Sequence, residues 1–235
     1  MLINEPKGRL FEEMLKILLS GNALNVVREL AELNLPRRVF PLFDRLFFHK
    51  SHDDFAYKVL EKTDLRIASG EDVSLVFILA GLIWSAIYQS WQQELKQGVH
   101  AKQALMDAIA RNKTVIFNSG VTRNLYTAMR DMWMLQVEFD APSVAKLDHL
   151  LNHNRFRQAW HLFTMRNDFL QVDPQIFAWW DNFMASADDD KTDLMIELVD
   201  LAPAEPKKKS KRRKSKRKRN VKKMPQVGEN LEFDF

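Results

Sequence analysis

The sequence predicts an all-α fold, an irregular array of short and medium helices followed by a disordered polybasic tail. Three observations lead there. Apolar residues recur at helical spacing over most of the first two hundred positions, and no run sustains the period-two alternation of a strand. Glycine and proline are scarce, 7 and 8 in 235 residues, which favours long helices over a turn-rich β architecture. The stretch Lys207–Lys223, KKKSKRRKSKRKRNVKK, holds thirteen Lys or Arg in seventeen positions and one apolar residue, Val221, so it has nothing with which to build a core.

The helices can be placed in order. Leu10, Phe11, Met14, Leu15 and Leu18 form a stripe opposite Glu12, Glu13 and Lys16, with Asn4 and Pro6 at the start and Gly21 as the stop. A second helix spans about Asn22 to Leu33 and ends before Pro36. Val39, Phe40, Leu42, Phe43, Leu46 and Phe47 give a third apolar face. Asp53 is placed to cap a fourth helix through Phe55, Ala56, Val59 and Leu60, and Ser69–Asp72 is a turn. Val73–Tyr88 is apolar on nearly every side, which marks a central buried helix that continues through Trp91 to Lys96. Its sixteen residues fall short of a bilayer span. Gly81 within it costs about 1 kcal/mol of helix propensity against Ala, which points to a close helix crossing. Further helices are expected at Val99–Arg111, Thr122–Phe139, from Pro142-Ser143 through Leu151, from Phe156 to Phe169, from Pro174 through Phe183, and at Thr192–Val199. No repeat of solenoid length occurs.

Charge divides the chain. Residues 1–206 carry 22 Lys+Arg against 28 Asp+Glu, a net −6, whereas residues 207–235 sum to +10. A polycation of this density suits a polyanion, since each phosphate neutralised releases a counterion whatever the base sequence. A solubilising tail, or one that meets an acidic protein or lipid surface, is the other reading of the same run. The absence of cysteine removes disulfides, thiolate chemistry and Cys-based metal sites, and with it the cytoplasm is the default compartment. The N-terminal stretch lacks the layout of a signal peptide.

Motifs for catalysis are sparse. His149 and His153 are four apart, but the glutamate that a zinc-protease motif requires after its first histidine is missing; His49 and His52 are weaker still. Asp188-Asp189-Asp190 reads as charge on a first helical turn more than as a magnesium site. No phosphate loop, nucleophile elbow or dinucleotide fingerprint occurs. The remaining candidates are phosphate-binding arginines: Arg37 and Arg38 at a helix start, Arg111, Lys113 and Arg123 around the Asn118–Gly120 connection, and Arg155, Arg157 and Arg166 around Trp160. The competing reading makes these a solvated helix face and the tryptophans core.

Pro6–Leu18, PKGRLFEEMLKIL, followed by Ser20-Gly21, resembles the neck segment of the bacterial poly(A) polymerases, relatives of the tRNA CCA-adding enzymes. The resemblance extends through Leu35–Phe43, Thr63-Asp64, Ser74–Trp84, Thr122–Gln136 with its Asp131–Gln136 ending, His153–Leu162 and the basic tail, nearly the whole chain. It implies a neck-like region at 1–50, an RNA-binding helical body at 51–202 and a disordered basic tail with a short acidic end at 203–235. The family adds AMP from ATP to RNA 3′ ends with Mg2+, through carboxylates in a catalytic head carrying a Gly-Ser-x-x-Asp-x-Asp motif. That motif does not occur in this sequence.

By resemblance, Arg9 and Glu13 match the neck residues that shape the nucleotide pocket, and Gly8 stands where the CCA-adding relatives have glutamate, which favours the polyadenylating branch. The expectation is an RNA-binding C-terminal portion of such an enzyme, inactive alone, with no cofactor of its own, no catalytic residue, no metal and no membrane contact. ATP and Mg2+ belong to the complete enzyme. Its RNA contacts are expected at Arg37, Arg38, Arg123, Arg155 and Arg157. In the tail they are Lys207, Lys208, Lys209, Lys211, Arg212, Arg213, Lys214, Lys216, Arg217, Lys218, Arg219, Lys222 and Lys223. Its partners would be single-stranded RNA 3′ ends, with RNA-processing proteins or a separately encoded head besides. The rival reading is a helical scaffold for partner proteins.

Overall fold

A computed structural model describes residues 6–33, 39–44, 54–187 and 191–201, all within one unit, Met1–Pro203. Among the described residues there are ten α-helices and no strand: α1 Lys7–Leu18, α2 Ala23–Glu32, α3 Asp54–Ala68, α4 Leu75–Lys96, α5 Ala101–Asn118, α6 Arg123–Asp140, α7 Val144–Leu151, α8 Phe156–Asp168, α9 Pro174–Ala185 and α10 Lys191–Leu201. The all-α expectation holds. The helix expected over Val39–Phe47 does not form at its start, where residues 39–43 take bends and turns that bury Val39, Leu42 and Phe43; residues 45–53 lie outside the described set.

The core forms around α4. Its side chains from Val76 to Trp91 are buried on several faces, and α3, α5, α6 and α8 pack round it. At 22 residues α4 is longer than its apolar stretch, long and apolar enough to cross a bilayer. However, 61% of its most apolar window is buried inside the protein, so its surroundings are those of a core helix. Ser74 starts it, the hydroxyl accepting from the Phe77 N–H at 3.3 Å. The close crossing expected at Gly81 is present: a Cβ there would stand 2.6 Å from Val59 Cγ2 on α3. α5 runs seven residues beyond its expected end, because Ile116 adds a further buried turn.

The N-terminal pair is joined to the rest by two devices. Asp64 of α3 caps α2, its carboxylate accepting from the Ala23 N–H at 2.8 Å and the Leu24 N–H at 2.9 Å. α1 lies on the α5–α6 connection. There Gly120 has φ +87°, and a Cβ would come within 2.6 Å of Phe11 Cβ and 2.9 Å of the Lys7 carbonyl; Lys7 Nζ donates to Asn118 Oδ1 at 2.9 Å. The far end holds an aromatic cluster of Phe139, Trp160, Phe163, Phe177, Trp180 and Phe183, with ring centroids 4.9–6.5 Å apart for contacting pairs.

Candidate nucleic-acid interface

The arginines named from sequence have separate fates. Arg37, Arg38 and the basic run Lys207–Lys223 lie outside the described residues, as do His49, His52 and Asp188–Asp190. Arg9 and Glu13 are both exposed and share a face of α1 four residues apart; Glu13 accepts from Lys16 Nζ at 2.8 Å. Arg123 opens α6 in solvent. Arg155 stands just before α8, its N–H donating to His153 Nδ1 at 3.1 Å, and Arg157 is exposed two residues on. Arg111 pairs with the buried Glu94, and Lys113 sits 5.9 Å over the Phe117 ring.

Arg166 corrects the sequence reading outright. It is wholly buried, donating to Gln136 Oε1 (3.1 Å), Asp140 Oδ2 (2.8 Å) and the Gln171 carbonyl (3.1 Å), with its guanidinium 5.2 Å from the Trp84 ring and 5.6 Å from Trp91. It holds α4, α6 and α8 together and is closed to phosphate. The tryptophans are mostly core as well: Trp84, Trp91, Trp133, Trp179 and Trp180 are buried, each with its indole N–H donated to an internal oxygen, and Trp160 is half-buried.

What the fold assembles instead is a cationic cavity where α3, the start of α4 and α8 meet. Its volume is about 300 Å³. Lys62, Arg66, Arg157 and His161 contribute basic groups, Phe77, Ile78 and Met165 apolar surface, and Thr63, Ser74, Gln158 and Thr164 polar side chains; Asp72 is the one acid among the lining residues. Lys62 reaches Asp168 Oδ2 at 3.2 Å and Arg66 reaches Glu71 Oε2 at 3.1 Å, both in solvent. Arg157 forms no ion pair among the described residues. His161 meets the Phe77 ring edge-on, centroids 6.3 Å apart. Partial desolvation, then the cations Arg66, Arg157 and Lys62, hold its imidazole below the ordinary 6.5.

Of these cavity residues the sequence reading singled out Arg157 alone. Lys62, Arg66 and Phe77 were missed because the lining is spread over a hundred positions. The one local hint was Thr63 and Arg66, three apart and so on one face of α3.

Among the described residues no three His, Asp or Glu side chains are grouped to hold a metal ion. What this arrangement offers is a place for an anion beside an aromatic ring.

Residues 97–219 match the model of the family described as the polymerase A arginine-rich C-terminus. Residues 1–47 match a second, the probable RNA and SrmB-binding site of polymerase A. The chain is 29% identical over 232 residues to poly(A) polymerase I of Salmonella typhi, covering 93% of this chain and 48% of that protein. Against poly(A) polymerase I of Escherichia coli O157:H7 the identity is 29% over 210 residues, 84% of this chain and 44% of the relative. The Haemophilus influenzae protein of the same name is 27% identical over 218 residues, 89% of this chain and 47% of its own. The chain thus spans about half the length of the curated relatives it matches.

Proposed function

This chain belongs to the family of the polymerase A arginine-rich C-terminus, and from that premise we propose that it is the RNA-holding region of a poly(A)-polymerase-type nucleotidyltransferase. The observation that carries the reading is the basic run of thirteen Lys and Arg, eleven of them within the family match, attached to a helical body that gathers Lys62, Arg66 and Arg157 around one aromatic-walled cavity. Phosphate contacts from the run supply affinity without regard to sequence. The body's cations and Phe77 supply a local site for one part of the strand. Single-stranded RNA 3′ ends are the substrate this reading assigns. Addition of AMP from ATP belongs to a catalytic head bearing the metal-binding carboxylates, with Arg9 and Glu13 of α1 facing the nucleotide, and the cytoplasm is the compartment.

The test is a salt titration of RNA binding by the full chain and by a variant ending at Pro203. If the tail covers about 8 phosphates of single-stranded RNA, the log–log slope lies near −6 and falls towards zero on truncation. An unchanged slope and affinity would remove the reading. In the same assay, labelled ATP, Mg2+ and an RNA primer give no extension by this chain alone; extension by the purified chain would refute the assignment of chemistry to a separate head.

A second reading concerns protein partners. The family model over residues 1–47 is described by SrmB as well as RNA, and Leu33 at the end of α2 is 68% exposed. Docking of an RNA-processing protein on the N-terminal helices, persisting after nuclease treatment and after removal of the tail, is the outcome that distinguishes this role from RNA binding.

A further inference from the structure

The cavity between α3, α4 and α8 has features that general phosphate binding does not need. An electrostatic track is satisfied by exposed lysines and arginines, whereas this cavity has an apolar wall of Phe77, Ile78 and Met165 and an amide, Gln158, in its lining. The Gln158 Oε1 is closed to solvent and without a hydrogen-bond partner, so a turn of the side chain brings it to a ligand in the cavity without breaking a bond at that oxygen. A buried acceptor left unpaired is costly, and a ligand that brings a donor recovers that cost. The start of α4 borders the same space, with Ser74 capping its first turn, so the positive end of a 22-residue helix adds to the cations there.

We propose that this cavity is a single-nucleotide subsite, taking one nucleotide splayed out of an RNA strand, with its phosphate on Arg157 and Arg66, its base against Phe77, and an exocyclic amine of that base donating to the Gln158 carbonyl. The proposal rests on the RNA reading above and adds a base preference to it. A volume of about 300 Å³ is at the small end of ligand sites; it admits one nucleotide and excludes a duplex. The solvent-exposed pairs Lys62–Asp168 and Arg66–Glu71 are weak and are exchanged for phosphate at little cost. Asp72 at the rim opposes a second phosphate, which limits the site to one. The amine requirement favours adenine, cytosine and guanine, each of which carries an exocyclic NH2, over uracil, which carries none.

The experiment is calorimetric titration of the full chain with AMP, UMP and inorganic phosphate, alongside binding of oligo(A) and oligo(U). AMP is expected to bind about tenfold more tightly than UMP, the worth of one such hydrogen bond, and more tightly than phosphate. Arg157→Ala, at an exposed position that does not endanger folding, weakens AMP by about tenfold or more. Gln158→Leu brings AMP to the level of UMP while raising the melting temperature, since it removes the unpaired acceptor. Equal binding of AMP and UMP, or phosphate binding as tightly as AMP, would overturn the subsite. So would a poly-glutamate peptide that binds in an Arg157-dependent way where AMP does not, since the cavity would then be a protein-docking site. If oligonucleotides bind but neither variant changes the oligo(A)-to-oligo(U) ratio, the subsite falls and the RNA reading stands. If no RNA binds at all, both fall.

Discussion

Arg166 shows how one side chain is misread from sequence and what it does instead. Beside Trp160 and two other arginines it has the look of a phosphate ligand, and nothing in the string of letters tells that the guanidinium is held beneath Trp84 and Trp91. A buried arginine is retained by its partners: Gln136, Asp140 and the Gln171 carbonyl take its protons, and Asp140 keeps one oxygen unpaired. Arg166→Met should therefore cost about 3–5 kcal/mol, because Asp140 loses the cation that offsets its desolvation and the Gln136 and Gln171 oxygens lose their donor. Asp140→Asn added to it should return part of the loss in denaturant unfolding. His161 gives a milder effect of opposite origin. Its folded-state imidazole lies below 6.5, so the unfolded chain binds more protons just beneath that pH, and stability falls on acidification through that window. Thermal melts of His161→Gln should show that part of the pH dependence flattened; an unaltered profile would assign it elsewhere.

At the scale of elements, helical periodicity was legible almost everywhere because burial follows the 3.6-residue stripe, as in α1 with Phe11, Met14 and Leu18 inward. Gly81 was legible too, as a residue whose propensity cost demanded a packing reason. The expected outcome of Gly81→Ala is a net loss of about 1–3 kcal/mol, since the gain in helix propensity is smaller than the overpacking against Val59. In a Val59→Ala background the same change should turn stabilising, which a double-mutant cycle measures. The cavity was not legible at this scale. Arg66, Phe77 and His161 sit on three helices, and only the crossings of α3 and α8 over α4 bring them to one place. Of the third apolar face, Val39, Leu42 and Phe43 are buried as expected, but through turns, which hydrophobic spacing alone does not separate from a helix.

Over the whole molecule, the division read from resemblance at residue 50 crosses close contacts. Asp64, on the body side of that boundary, supplies the cap that α2 lacks locally, for Asn22 makes no side-chain capping bond. Asp64→Ala should remove about 1–2 kcal/mol and raise amide exchange along α2 well above that of α4; uniform protection in both would mean the cap is redundant.

The notch at Gly120 carries this further. It receives Phe11 from the segment matched by one family model, while the glycine itself lies in the segment matched by the other. Neither segment finishes its own surface, so a polypeptide carrying one without the other would present a raw socket or a naked plug. In descent position 120 should stay glycine whatever side chain stands at 11, because the Cβ shared by every other residue at 11, the Lys7 carbonyl and a φ of +87° all bar a side chain there.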